Sequence, residues 1–102
     1  MAVPGTLEYK EITVAVGILR AANHKLRQTI LKLLSENQPM KVTDIYVKLR
    51  LEQSVASQHL AILRKAKLVR AERDGKMIFY SLNNRRLTAL AEFAENMRTA
   101  SN

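Results

Sequence analysis

Asp74-Gly75 stands between two strand-forming runs, residues 68–73 and 76–82. That dipeptide predicts a two-residue hairpin turn of type I′, in which both central residues carry positive φ. Ile78, Phe79 and Tyr80 strengthen the second strand, because aromatic and β-branched side chains pack well on a pleated surface. Arg73 and Lys76 flank the turn, so its tip is cationic. A charged tip can serve solubility alone. Beside a helical pair, the expectation is that it reaches a DNA backbone or minor groove.

Such a pair lies directly upstream. Residues 53–67 hold no Gly or Pro, and Ala56, Leu60 and Leu63 recur at steps of four and three with Ile62 beside them. That spacing puts them on one helical face. The opposite face holds Gln53, Ser54, Ser57 and Gln58, then Arg64 and Lys65. Amide and hydroxyl groups at the N-terminal end suit base edges, and the cations behind them suit phosphates. An ordinary surface helix has a similar polar face, so the preceding segment matters. Val42, Ile45, Tyr46 and Leu49 form a shorter helical pattern starting near Lys41 or Thr43. Thr43-Asp44 can cap it or match its dipole. Residues 50–52 alone separate the two helices, a length typical of a helix-turn-helix, although none is the glycine such turns often carry. Two helices, a tight turn and a hairpin predict a winged helix: mainly α, about five helices with a two-stranded wing, in one domain over residues 1–102.

The charge agrees with that pattern. A formal charge of +8 and a pI near 10.2 in 102 residues favour a polyanionic partner, double-stranded DNA or an acidic surface. Residues 41–76 carry nine Lys/Arg against four Asp/Glu, which is +5 of the total. On this reading Gln53, Ser54, Ser57 and Gln58 read bases. Thr43, His59, Arg64, Arg73 and Lys76 hold backbone, His59 either by positioning the helix or by donating to phosphate.

The same stretch resembles a known family. Gln53-Ser54-Val55-Ala56-Ser57-Gln58-His59-Leu60, Leu63-Arg64-Lys65-Ala66, Leu68-Val69, and Arg73-Asp74-Gly75-Lys76 with Phe79-Tyr80-Ser81-Leu82 resemble the ArsR/SmtB family of bacterial winged-helix repressors. Leu26-Arg27-Gln28-Thr29-Ile30-Leu31 fits the helix before that family's motif, and the likeness spans residues 18–97. It implies a homodimer on an imperfect palindrome near a promoter. Two departures touch the recognition helix: Glu52 stands where the family commonly has a capping Ser, and Ala56 where a larger aliphatic is usual. A third concerns the inducing signal. The family's thiolate metal site falls on Lys41 and Thr43, and its carboxylate–imidazole site on Asn84, Arg86, Met97 and Ala100. The chain has no cysteine, which excludes thiolate ligands and disulfide switches. No metal and no cofactor are expected, and the inducer stays open.

The remaining segments predict how the motif is completed. Residues 1–5, with Pro4-Gly5, are expected to be disordered, as is the tail 99–102. Thr6 can cap a first helix reaching about Ala22. Ile12, Val16 and Leu19 make one apolar stripe on it, Val14 and Ile18 a second. Asn23 is a candidate cap for a helix over 24–36, with Leu26, Ile30, Leu33 and Leu34 inward and Asn37 and Pro39 ending it. Asn83-Asn84 breaks the chain before a last helix over 85–98. Two apolar stripes on one helix need a second cover, which predicts a homodimer through Leu7, Val14, Ile18, Leu87, Leu90, Phe93, Ala94 and Met97. The alternative is that these side chains serve an intramolecular core only.

Other classes are disfavoured. No apolar run spans a bilayer, the start MAVPGTLEYK lacks a signal-peptide core, and cysteine is absent, so a cytoplasmic location and no membrane partner are expected. Ser57 and His59 are two apart on a helix and do not face each other, and no phosphate-cradling Gly loop occurs, so no enzyme is expected. His24 and His59 make a poor metal pair by spacing. A winged protein-interaction module and a non-specific architectural DNA binder remain as alternatives. The amide-bearing groove face argues against both, since charge alone would favour Lys and Arg there.

Overall fold

The computed structural model describes residues 9–100. Helices α1 (Tyr9–Ala22) and α2 (Lys25–Asn37) lead into a short strand β1 (Met40–Lys41), then α3 (Val42–Lys48), α4 (Gln53–Lys65), the hairpin β2 (Val69–Asp74) and β3 (Met77–Leu82), and α5 (Asn84–Ala100). This is the winged helix-turn-helix that the periodicity predicts. The core lies where the helices meet the hairpin: Ile30, Leu34, Ile45, Leu60, Leu63 and Leu68 are fully buried, and Ile18, Ala21, Leu33 and Val69 nearly so.

The wing has three strands, ordered β1-β3-β2. Met40 and Lys41 pair with Tyr80 and Phe79, and the Leu82 N–H donates to Gln38 Oε1 at 2.8 Å just beyond that ladder. The hairpin turn also differs from expectation. Asp74 pairs with Met77, which leaves Gly75-Lys76 as the loop. Gly75 has φ 63°, and neither Asp74 nor Lys76 is a positive-φ residue. Glycine first and alone at positive φ is the pattern of a type II′ turn, not type I′.

Helix ends account for the other shifts. The N-cap of α2 is His24, not Asn23: its backbone is extended and its Nδ1 accepts from the Leu26 N–H at 3.1 Å. The Asn23 N–H donates to the Leu19 carbonyl at 2.8 Å, so Asn23 closes α1 and the cap of α2 falls one residue later. Asn83 does cap α5, its Oδ1 accepting from the Arg86 N–H at 3.3 Å. That helix runs through Thr99 and Ala100, past the expected end. Its final turn is bonded from Thr99 Oγ1 to the Glu95 carbonyl at 3.1 Å. The expectations for residues 1–5, Thr6, Leu7, 101 and 102 lie outside the described residues.

The helix-turn-helix turn solves its missing glycine with an arginine. Arg50 takes φ 55°. The Leu51 N–H reaches the Tyr46 carbonyl at 2.8 Å and the Arg50 N–H reaches Val47 at 3.2 Å, the two bonds of a Schellman helix end.

Candidate nucleic-acid interface

Helix α4 is anchored by one face and presents the other. Ala56, Leu60 and Leu63 are fully buried, while Gln53, Ser54, Ser57, Gln58, Arg64 and Lys65 are all exposed. The stripe is therefore four side chains with donor or acceptor groups, followed by two cations. At the N-cap, Glu52 offers no side-chain hydrogen bond, so the first N–H groups of α4 have no side-chain cap from it. Thr43 is exposed in the first turn of α3, the helix that packs on α4.

The wing tip brings two more expected residues together. Arg73 and Lys76 are exposed on either side of the turn, and Arg73 Nε donates to the Gly75 carbonyl at 3.2 Å, which steadies its stem. Met77 and Ile78 beside them are also solvent-exposed.

His59 departs from the expected backbone set. Its ring is half-buried against α2, with Nδ1 3.2 Å from Arg27 Nη1. The His24 ring lies 4.8 Å away, centroid to centroid, tilted by 44°. Burial, then His24, then Arg27 lower the His59 pKa below its ordinary value. Of the two roles weighed for His59, the geometry favours positioning the helix. His24 and His59 are 35 positions apart, so only the folded chain reveals the pair. Arg27 itself was legible only as part of the family-like run before Ile30-Leu31.

Four of the expected dimer residues come together between α1 and α5. Val14 and Ile18 from α1 and Leu90 and Phe93 from α5 line one largely apolar groove of about 260 Å³, with Glu11 and Arg86 also in its wall. Ile18 is nearly buried within its own chain, whereas Val14 is 58% and Met97 50% exposed. Leu87 and Leu90 pack partly against the core, and Ala94 is exposed. Ile12 and Val16 of the other stripe are exposed too. Among the described residues no cluster of three His, Cys, Asp or Glu side chains could hold a metal, and no helix is long and apolar enough to cross a membrane.

The family model for bacterial regulatory proteins of the arsR family matches residues 24–71. The transcriptional activator HlyU of Vibrio cholerae is 32% identical over 93 residues, covering 91% of this chain and 85% of HlyU. The chain belongs to the ArsR family. The HlyU structure superposes with a TM-score of 0.71 over 88% of this ArsR-family chain and 97% of HlyU. The transcriptional repressor PagR of Bacillus anthracis is 35% identical, covering 76% of this chain and 78% of PagR. The homodimeric winged helix-turn-helix DNA-binding domain of Mb0332 from Mycobacterium bovis shares the fold, with a TM-score of 0.76 at 21% identity over 96% of this chain and 91% of that domain.

Proposed function

We propose that this ArsR-family regulator is a homodimeric, sequence-specific DNA-binding repressor acting on a palindromic operator. One observation carries the reading: Gln53, Ser54, Ser57 and Gln58 are exposed together on the helix whose opposite face is locked into the core by Ala56, Leu60 and Leu63. A helix so held presents fixed hydrogen-bonding groups to base edges in the major groove. Thr43, Arg64, Arg73 and Lys76 are assigned to the backbone, and the +8 charge supplies long-range attraction. The exposed Val14 and Met97, with Leu90 and Phe93 in the α1–α5 groove, support pairing through those helices. Repression is proposed from the likeness to PagR; the likeness to HlyU makes activation the other outcome to test. Control by metal at the family's usual sites is not proposed, because Lys41, Thr43, Asn84 and Arg86 provide neither thiolate nor carboxylate nor imidazole.

The test is selection of bound duplexes from a random pool, followed by fluorescence anisotropy with the selected and a scrambled duplex at physiological salt. The expected preference is about a thousandfold or more, with half-sites about 34 Å apart and no effect of a chelator. An empty selection with weak, equal binding would favour the interaction-module reading. Sedimentation of the free protein tests the dimer.

A further inference from the structure

We infer that Arg27, acting through His59, is a positioning residue for the recognition helix α4, and that this link holds only while the His59 imidazole is neutral. The inference rests on the DNA-binding reading above.

Arg27 joins three elements. Its Nε donates to the Ala21 carbonyl, its Nη2 to the Arg20 carbonyl at 3.4 Å, and its Nη1 meets His59 Nδ1 at 3.2 Å. The two carbonyls belong to the last turn of α1, where no helical N–H is left to reach them and a cation suits the negative end of the dipole. A guanidinium has donors only and stays charged. Nδ1 of His59 must therefore accept, and its proton belongs on Nε2. The neighbouring His24 ring is held in turn by the Leu26 N–H on its Nδ1. The contact that ties α4 to the α1–α2 corner thus has one workable protonation state.

Among the described residues, no carboxylate near the cluster would welcome a second proton. Across every element packed against α4 (α1, α2, α3 and β2), His24 and Arg27 are the charged or titratable groups that act on His59, and both disfavour its charge. Residues 55–63 of α4 carry no ionisable side chain besides His59, and residues 14–35 contain no Asp or Glu. Protonated His59 would turn a hydrogen bond into contact between two cations. Gln58 is the adjacent residue, and base readout tolerates only about 0.5 Å of misplacement. Acid should therefore weaken discrimination between sequences, while the added positive charge leaves non-specific attraction equal or stronger.

The test uses the selected and scrambled duplexes at constant ionic strength from about pH 8 to about pH 5, the interval in which histidines switch. For the wild-type protein the ratio of specific to non-specific affinity should fall about fivefold or more. His59→Gln, whose amide oxygen still accepts from Arg27 but does not titrate, should show a flat profile across the same interval. A flat wild-type ratio, or a His59→Gln profile that still falls, overturns the inference. Imidazole ¹⁵N NMR of the free protein decides the link without DNA. His59 should carry its proton on Nε2, with a titration midpoint that rises in Arg27→Met. A proton on Nδ1, or a midpoint that Arg27→Met leaves in place, sinks the link. An empty duplex selection at the alkaline end would instead overturn the DNA-binding reading, with the NMR result still standing on its own.

Discussion

Arg50 and Lys67 sit at the same place in two successive helix ends, with φ 55° and 61°. After α4 the Leu68 N–H reaches the Leu63 carbonyl and the Lys67 N–H reaches Arg64, both at 2.9 Å, repeating the pattern that Arg50 makes after α3. Left-handed backbone strains any residue with a Cβ by about 1–2 kcal/mol, while the adjacent cation favours a helix C-terminus. Comparing uncharged replacements isolates the backbone effect. Lys67→Gly should be more stable than Lys67→Ala by about 1 kcal/mol, and Arg50 should behave alike. Thermal melts should read this as a gap of about 4–8 °C; no gap would mean the left-handed assignment is wrong.

The hairpin carries a parallel prediction about which residue bears the turn. Gly75 has φ 63°, and a Cβ added there meets nothing within 4 Å, so only backbone strain opposes Gly75→Ala. The cost should be about 1–3 kcal/mol. Asp74 is paired in β2, and Asp74→Ala should stay within about 0.5 kcal/mol of wild type. Equal large losses at both positions would restore the type I′ turn.

Stability should depend on pH through His59. Its folded pKa lies below the ordinary value of 6.5, by burial first and then by His24 and Arg27. The unfolded chain therefore takes up the proton first as pH falls. The stabilising contribution is complete above about pH 6.5 and is lost as pH drops toward the folded pKa. Denaturant melts of wild type and His59→Gln should converge in slope at the alkaline end and diverge below that point, the wild type losing more. Parallel curves across the window would remove His59 as the source.

What the sequence made legible was local. Leu60 and Leu63 recur within one helix, so their burial follows from spacing alone, and Asp74-Gly75 located the wing to within a residue. The turn type was missed because Asp74 prefers its ladder partner Met77 to a place in the loop. Strand β1 was missed because Met40 and Lys41 pair with Tyr80 and Phe79, some 40 positions away, and two residues leave no periodicity. Asn23 and His24 are both able to cap, and only the hydrogen bond from Leu26 distinguishes them. The α4 stripe was readable as polar spacing, whereas the turn of His59 toward Arg27 depends on how α2 and α4 cross.

Base and backbone contacts should separate in one experiment. Gln58 is exposed on α4, and a glutamine amide can engage adenine with two hydrogen bonds. Gln58→Ala should cost about 1–3 kcal/mol on the selected duplex and almost nothing on a scrambled one, relaxing preference at one base pair. Lys76 is exposed at the wing tip, three positions from Arg73, where a point charge meets phosphate whatever the sequence. Lys76→Ala should weaken both duplexes alike and lower the slope of log affinity against log salt by about 1. The two variants differ in what the scrambled duplex reports, so measuring both duplexes at several salt concentrations suffices. Equal losses on both duplexes for Gln58→Ala would place the groove-reading surface elsewhere than α4, and an unchanged salt slope for Lys76→Ala would take the wing off the backbone.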